Sequence, residues 1–598
     1  MRIAALVKQI PAFEEMELGP DGRLRRAGLD LEMNPYCRRA VSQACELAAA
    51  VGDGTVTVLT LGPPTAEDTL REAIAWATEQ DVTAEGVLIT DPAFAGSDTL
   101  ATARALAAAI EREGGFDLVL TGRNSVDADT GQVGPGLAEL LGLPFATGAR
   151  YLSLQGKTVH VRCEHDDGFA QVEVTLPAVV SCAERLIDPC KVDALGRASV
   201  PVELLRTVSA ADLGPGPWGE PASPTRVGTV RVHAVDRART VLEGPVMEQV
   251  RRAVDLLRER EALTPAGRAD RSETVPPLQG ERGDAVAVVV EPDRDRVTRE
   301  LLGAAARLAV GIDGHAVALC VEPPDPALLA SWGADAAVFL DGSAVEEDIA
   351  AGVAEWSRLA APWAVLATST AWGREVAARA AARLGAGLTG DAVDLEVGGD
   401  GRLVAWKPAF GGQLVAAITA TSPVQLATVR AGVLVLLRPR SATTIETRSM
   451  VVPRRTRLEV RNRTRDDDLD ALAEAETVVG VGAGVDPAEY PALEPLRETL
   501  GAELAATRKV TDKAWLPRAR QVGLTGRTIA PHLYVAVGLS GKFNHMVGVR
   551  AAGTILAVNA APDALVFGVC DIGIVADWHE VVPVLVDELV SAGVTAGS

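Results

Sequence analysis

The residues with the most chemistry to offer lie between Gln521 and Asp577. Two short apolar runs, His532–Val537 and Thr554–Asn559, flank the glycine-bracketed turn Gly538-Leu-Ser-Gly541 and a helix-length segment from Lys542 to Ala552. A strand that passes through glycines into a helix start presents unpaired backbone N–H groups and a positive dipole end, which suit a phosphate. Polar residues recur around it: Gln521-Val-Gly-Leu-Thr-Gly-Arg527 before, His545 in the first turns of the helical segment, Asn559 at the end of the next run, and Asp571 beyond. Ser540 is not a hydrolase nucleophile, because Gly-x-Ser-Gly-Lys lacks the Gly-x-Ser-x-Gly spacing and no general base is placed near it in sequence. A second loop of this kind, Asp127-Ala-Asp-Thr-Gly-Gln-Val-Gly134, follows one apolar run and opens a helix. Gly131 and Gly134 permit close approach of backbone to a phosphate, although Asp and Thr are also ordinary helix caps.

The elements that must position these loops alternate β-branched runs with alanine-rich helical stretches, the pattern of a parallel sheet with crossover helices. In the first part the runs are Ile3–Val7, Val56–Leu61, Gly86–Thr90 and Leu118–Thr121, with helices at Pro35–Val51, Thr65–Thr78 and Ser97–Glu113. An antiparallel passage, Thr158–Cys163 with Gln171–Thr175, follows. The plan starts again near Asp284 with Val286–Val290, Ala316–Val321, Ala336–Leu340 and Ala364–Thr368, then a hairpin-like passage, Gly401–Trp406 with Gly412–Thr419. The repeat shows in letters as well: Leu118-Val-Leu-Thr-Gly122 and then Ala138-Glu-Leu-Leu-Gly142 answer Val365-Leu-Ala-Thr368 and then Ala381-Ala-Arg-Leu-Gly385. The expectation is two related α/β domains about a pseudo-twofold axis, then a third α/β domain. The boundaries are 1–260, a linker at 261–283 beyond a helix at Pro245–Glu261, 284–453 and 454–598, with a hinge expected over Ser441–Asp468.

At 598 residues and 48% hydrophobic content the chain has material for several cores. A balance of 58 Lys and Arg against 80 Asp and Glu, net −22, disfavours a nucleic-acid partner. No apolar run is long enough for a membrane helix, and Met1–Pro11 is too short and too soon broken for a signal peptide, so the expectation is a cytoplasmic protein that is not membrane-embedded. Seven scattered cysteines without Cys-x-x-Cys point to free thiols and to no metal site. Glu14-Glu15 and Asp466-Asp-Asp468 read as solvated charge.

The string of motifs from Gln521 onward resembles the flavin-binding segment of the alpha subunit of electron transfer flavoproteins: Gln-Val-Gly-Gln-Thr-Gly, then Leu-Tyr-x-Ala-x-Gly-Ile-Ser-Gly-x-x-x-His, Val-Ala-Ile-Asn and Ala-Asp-x-Gly-Ile-Val. Gly373-Arg374, Gly387-Leu-Thr-Gly-Asp391, Lys407-Pro-Ala-Phe-Gly-Gly412 and Ala427-Thr-Val-Arg430 are also at that subunit's positions. Residues 1 to about 260 resemble the beta subunit, through Met33-Asn-Pro-Tyr36, Leu61-Gly-Pro63, the 127–134 loop and Leu176-Pro-Ala-Val-Val180. The resemblance therefore implies beta fused to alpha in one chain. The implied architecture is two adenine nucleotide alpha hydrolase-like domains plus a C-terminal FAD-binding domain.

The implied function is electron carriage from a dehydrogenase through bound FAD to an acceptor such as a quinone oxidoreductase, with no catalytic residues of its own. By resemblance His545 donates to the flavin N1–C2 carbonyl region, Thr525 bonds near N5, and Arg508 packs against the ring. Gln521, Gly523, Gly526, Gly538, Ser540, Gly541, Asn544, Asn559 and Asp571 hold the rest, with Asn559 and Asp571 at the ribose and adenosine. Leu6, Asn34, Leu61, Asp127, Asp129, Thr130, Gly131, Gln132, Val133 and Gly134 are expected at a second nucleotide, AMP or a second FAD; the latter permits bifurcation. The family's recognition loop, Thr-Leu-Pro-Asn-Ile followed by lysines, is here Arg185–Ser199 with Leu195 as its apolar anchor, which implies a donor other than the common acyl-CoA dehydrogenases. Ala483 stands where the family has an arginine, Leu524 replaces a glutamine, and Lys542-Phe-Asn544 replaces Ala-Ile-Gln; a changed flavin potential is expected. The alternative is a nucleotide-binding sensor or structural protein that keeps the fold, with Ala483 as its support.

Overall fold

A computed structural model describes the chain except residues 13–29, 167, 233–236, 264–272, 281, 344, 410–413, 442, 466–470, 473–474, 524–525 and 595–598; at 232, 409, 465 and 543 only the backbone is described. The chain forms two compact units. The first comprises Met1–Arg231, Glu273–Phe410 and Val415–Thr464; the second comprises Val232–Ser272, Gly411–Leu414 and Arg465–Ser598.

The first unit contains two copies of one α/β plan. In the first copy the strand order, from one edge, is Leu205–Val208, Thr83–Ile89, Thr55–Leu61, Arg2–Leu6, Leu118–Gly122, Ala178–Cys182, Phe145–Gln155, Thr158–Glu164, Gly168–Thr175 and Leu458–Arg465. Arg2–Leu6 pairs in parallel with both Thr55–Leu61 and Leu118–Gly122. Successive strands run outward to one side of Arg2–Leu6 and Leu118–Gly122 starts the other side, so the connection reverses between these two. A parallel sheet opens a ligand crevice at the carboxyl ends of the strands at such a reversal. The helix Pro35–Val51 forms where the sequence predicts it. Pro35 pre-sets its first turn, Gly52 at φ +85° ends it, and Ala40, Ala44 and Ala48 repeat every fourth residue on a buried face.

The second copy orders its strands as Gly387–Ala392, Gln425–Val429, Ala364–Thr368, Ala285–Val290, His315–Cys320, Ala336–Asp341 and Glu446–Val451. Ala285–Val290 is covered on both faces, which explains its unbroken apolar run. Its reversal lies between Ala285–Val290 and Ala364–Thr368, the counterpart of the first. The helices that follow the equivalent strands, Val133–Leu141 and Ala371–Leu384, pack on each other. Both end in a left-handed glycine, Gly142 at φ +64° and Gly385 at φ +63°, whose N–H bonds back into the last turn. The repeated letters thus mark repeated caps.

The second unit has one sheet, ordered Thr240–Leu242, Ile572–Val575, Thr554–Asn559, Leu533–Val537, Thr477–Val481 and Glu503–Ala506. Thr240–Leu242 pairs in parallel with Ile572–Val575, and the helix Val246–Glu259 packs on Trp578–Ser591. Residues expected in the first domain therefore complete the third. Three segments make up this unit, Val232–Ser272, Gly411–Leu414 and Arg465–Ser598, so the chain enters it before the stretch 441–468 as well as after it. Much of that stretch is strand, Glu446–Val451 and Leu458–Arg465, each at a sheet edge in the first unit. Lys542–Ala552 is not one helix but a turn at Phe543–Met546 and a 3-10 turn at Val547–Val549. Gly548 explains the break: it lies so close to the backbone of Gly523 that a Cβ would collide with it.

Candidate functional site

In the second unit the chain reversal lies between Thr477–Val481 and Leu533–Val537, and the loops leaving their carboxyl ends carry Gly482, Gly484, Gly538 and Gly541. The loops are pressed backbone to backbone. Gly484 N donates to Gly538 O at 3.2 Å, and Gly538 N to Val558 O at 3.1 Å. A Cβ on Gly482 would strike Gly538 O; one on Gly541, where φ is +76°, would strike Val566 N. Asn559 locks this arrangement: its Nδ2 donates to Leu539 O at 2.9 Å and its Oδ1 accepts from Ala561 N at 2.9 Å. Ser540 and Asn544 are exposed at the turn. The result is a glycine-lined crevice with accessible backbone, which fits an extended phosphate-bearing cofactor.

Beside it, Gly523 and Gly526 tolerate no side chain, since a Cβ would strike Asn544 O and Gln521 O respectively. The buried Gln521 carboxamide oxygen accepts from the Thr511 hydroxyl at 2.6 Å and from Arg518 Nη1 at 2.5 Å, so Gln521 braces the loop. Arg508 is half-buried and pairs with Asp512 at 3.1 Å. Thr525 and Leu524 lie outside the described residues.

His545 is buried. Its Nδ1 lies 3.0 Å from Val522 O and its Nε2 lies 2.8 Å from the Tyr534 hydroxyl. A carbonyl can only accept, so Nδ1 carries the proton and Nε2 accepts from Tyr534. Burial pushes the ring's pKa down to about 4, and the Val522 carbonyl only partly opposes that. In this arrangement both ring nitrogens are engaged by the protein.

Asp571 is also not where the sequence suggests. It is fully buried, with Arg237 Nη1 at 2.7 Å on one oxygen and Arg260 Nη2 at 2.9 Å on the other, and it also accepts from Ile555 N at 2.8 Å. Ile555 is the second residue of its strand and Asp571 directly precedes the strand Ile572–Val575, so Asp571 sits at the amino edge of the sheet, opposite the glycine loops. Its function is to bind residues 237–260 to the unit. Asp577 occupies the carboxyl edge instead, capping Trp578–Ser591 and bonding His579. An Asp following an apolar strand was the only signal for it.

The first unit builds its crevice from charges that cancel. Lys8 Nζ bonds both oxygens of Asp127 at 2.8 and 2.9 Å. Burial raises the Asp127 pKa, but the Lys8 ammonium and the hydrogen bonds from Lys8, Ser125 and the loop backbone outweigh burial and hold it below its usual range. Asn34 donates to Asn124 O at 2.9 Å and accepts from Val126 N at 3.2 Å. Gln132 accepts from Thr99 and points its Nε2 at Leu388 O of the second copy. Asp129, at φ +44°, bonds Asn124 and Arg374. Leu6 and Leu61 are strand-end residues packed in the first core. These side chains shape the loop. What it offers a ligand is backbone: none of the amide N–H groups from Thr130 to Gly134 has a protein acceptor among the described residues.

Leu195 is 82% exposed, on the short helix Ala194–Ala198 that the Asp193 side chain caps. All seven cysteines are free and buried, and no group of metal-ligating residues occurs among the described residues. No described helix is long and apolar enough to cross a membrane.

The family pattern described as "Electron transfer flavoprotein domain" matches residues 21–209 and again 286–454, one match per copy. "Electron transfer flavoprotein FAD-binding domain" matches 471–550. Among curated relatives, electron transfer flavoprotein subunit alpha of Thermoanaerobacterium thermosaccharolyticum is 33% identical over 307 residues, covering 49% of this chain and 93% of the relative. Subunit beta of the same organism is 34% identical over 268 residues, covering 44% of this chain and all of the relative. Subunit alpha of Mycobacterium leprae is 37% identical over 245 residues, 40% of this chain and 74% of the relative.

Proposed function

The chain belongs to the electron transfer flavoprotein family, with the beta-like region first and the alpha-like region after it, and from that premise we propose how its two crevices divide the work. It is an electron transfer flavoprotein: FAD bound in the alpha-like FAD-binding domain carries electrons between a donor protein and an acceptor protein. The observation that carries the assignment of FAD to the second unit is the glycine crevice at its chain reversal, inside the matched FAD-binding domain. FAD supplies the redox chemistry, and the residues supply its setting. In our reading Gly538, Ser540, Gly541 and Asn544 border the diphosphate, Asn559 fixes the turn, and Gly523, Gly526 and Gln521 shape the loop that carries Thr525. Arg508 lies at the ring and His545 beneath it. Tyr534 holds His545 in one tautomer, so turning its N–H toward the flavin requires giving up the bond to Val522.

The crevice of the first unit holds the second nucleotide, AMP or a second FAD, on the amides of Thr130–Gly134. The donor is a dehydrogenase that meets the Arg185–Ser199 passage at Leu195, and the acceptor is a protein such as a quinone oxidoreductase, in the cytoplasm. If the ligand is a second FAD, the chain can bifurcate electrons.

The test is spectroscopic. The purified full chain should show flavin absorbance that bleaches on stepwise reduction and returns when an electron acceptor is added. A colourless chain that takes up no added FAD would contradict the proposal.

A further inference from the structure

The two copies in the first unit treat equivalent helix starts in opposite ways. In the second copy, Ala371 N donates to the Asp166 carboxylate at 2.6 Å and Gly373 N to the Thr370 hydroxyl at 3.1 Å. Glu291, at the end of the central strand, is bonded by Thr368 and Thr370. That crevice is filled by the protein's own carboxyl groups. In the first copy no such group meets the Thr130–Gly134 amides among the described residues. The second copy instead presses basic groups toward the loop. Arg374 lies against Gly131, and a Cβ on Gly390 would come within 3.6 Å of Thr130 Cα. Arg374 and Arg430 share the Asp391 carboxylate; the neighbouring strand is tied on by Val393 N donating to Trp406 O at 2.8 Å, and the Nζ of the next residue, Lys407, is buried with no hydrogen-bond partner among the described residues. An ammonium shut away from water without a partner is costly, and it signals a missing anion.

We infer that Lys407 completes the first-copy crevice from the second copy, as a subsite for a second anionic group beside the phosphate held by the Thr130–Gly134 amides. The shared chemistry is phosphate, supplied either by the second phosphate of a nucleoside diphosphate or by a free phosphate ion beside a monophosphate. This rests on reading that crevice as a nucleotide site.

The experiment titrates the nucleotide-depleted full chain with AMP, with ADP, and with AMP in inorganic phosphate. A charge-assisted bond to one more phosphate should favour ADP over AMP by about tenfold or more. Lys407→Met should abolish that gain and, by removing a buried charge that has no hydrogen-bond partner, raise the melting temperature of the depleted chain. Lys407→Arg should keep most of the gain. If ADP alone gains, the subsite takes the nucleotide's own phosphate. If inorganic phosphate tightens AMP in the parent and not in Lys407→Met, the subsite takes the free ion; either result supports the inference. Equal AMP and ADP affinity with no phosphate effect, or a gain that survives in a folded Lys407→Met, overturns it while leaving the nucleotide site intact. A parent chain that binds neither nucleotide overturns the site itself.

Discussion

The two copies of the first unit have the same strand reversal, the same helix leaving it and the same glycine cap, yet their helix starts meet different neighbours. In the second copy Asp166, Glu291, Thr368 and Thr370 occupy the carboxyl end. In the first, the side chains pair among themselves around a row of amides without acceptors among the described residues. The difference teaches that the fold supplies the crevice, whereas the placement of a few acidic side chains decides whether it stays open.

The strongest way to break the comparison is at the seam between the copies. Asp391 neutralises both Arg374 and Arg430, and although burial opposes its ionisation, the Arg430 charge leads the effects that carry its pKa well below the ordinary carboxylate range. Asp391→Ala takes the carboxylate from Arg430 and leaves Arg374 with Asp129 as its carboxylate partner, and should cost about 3 kcal/mol. Urea unfolding measures it, and a loss below about 1 kcal/mol would show that the seam does not depend on this carboxylate.

The filled crevice should also have a pH signature. Burial pushes Glu291 up to about 7, against its hydrogen bonds from Thr368 and Thr370. Between the unfolded carboxyl value near 4.5 and pH 7 the folded state therefore binds the extra proton, and stability falls as pH rises, by roughly 2–3 kcal/mol from this group. His545 works in the opposite direction: with its folded value at about 4, the unfolded state binds the extra proton from about pH 6.5 down to 4, so the second unit loses stability on acidification. Melting curves of Glu291→Gln and His545→Gln from pH 5 to 8 should each flatten one of these slopes. Unchanged slopes would mean that other groups set them.

A smaller effect sharpens the contrast. Asp166→Ala uncaps Ala371 and should cost about 1–2 kcal/mol, with no loss of the nucleotide proposed for the first copy. Loss of that nucleotide would show that the two crevices are not independent. Leu195→Ala marks the lower limit: at an exposed position its stability should move by no more than about 0.5 kcal/mol, while reduction by the donor dehydrogenase slows. A large drop in stability, or no change in reduction rate, would remove Leu195 from the docking surface.

Sequence made the core strands and the helix Pro35–Val51 legible because they are buried and periodic. It did not reveal Glu446–Val451 or Leu458–Arg465, since edge strands with exposed side chains have no apolar alternation to display. Thr240–Leu242 is three residues long, and its partner Ile572–Val575 lies some 330 residues away, so nothing local tied it to the flavin unit. The glycines of both loops were legible, because each marks a close backbone approach. The side chains were less so: His545, Asp571, Asp127 and Gln132 have the expected identities, but their hydrogen bonds go to the protein. Only the folded register shows that Asp571 lies at the amino edge of its sheet and Asp577 at the carboxyl edge.

The central claim, one FAD in the glycine crevice of the second unit and a separate nucleotide in the first, is tested most directly by cofactor content. Gly541 has no space for a Cβ and a left-handed backbone, so Gly541→Ala distorts the turn without touching the first unit. Released cofactors should be quantified by chromatography from the parent and the variant. The account predicts that Gly541→Ala loses one equivalent of FAD per chain and keeps the nucleotide of the first unit. A variant that retains all its FAD, or one that loses both ligands together while still folded, would contradict it.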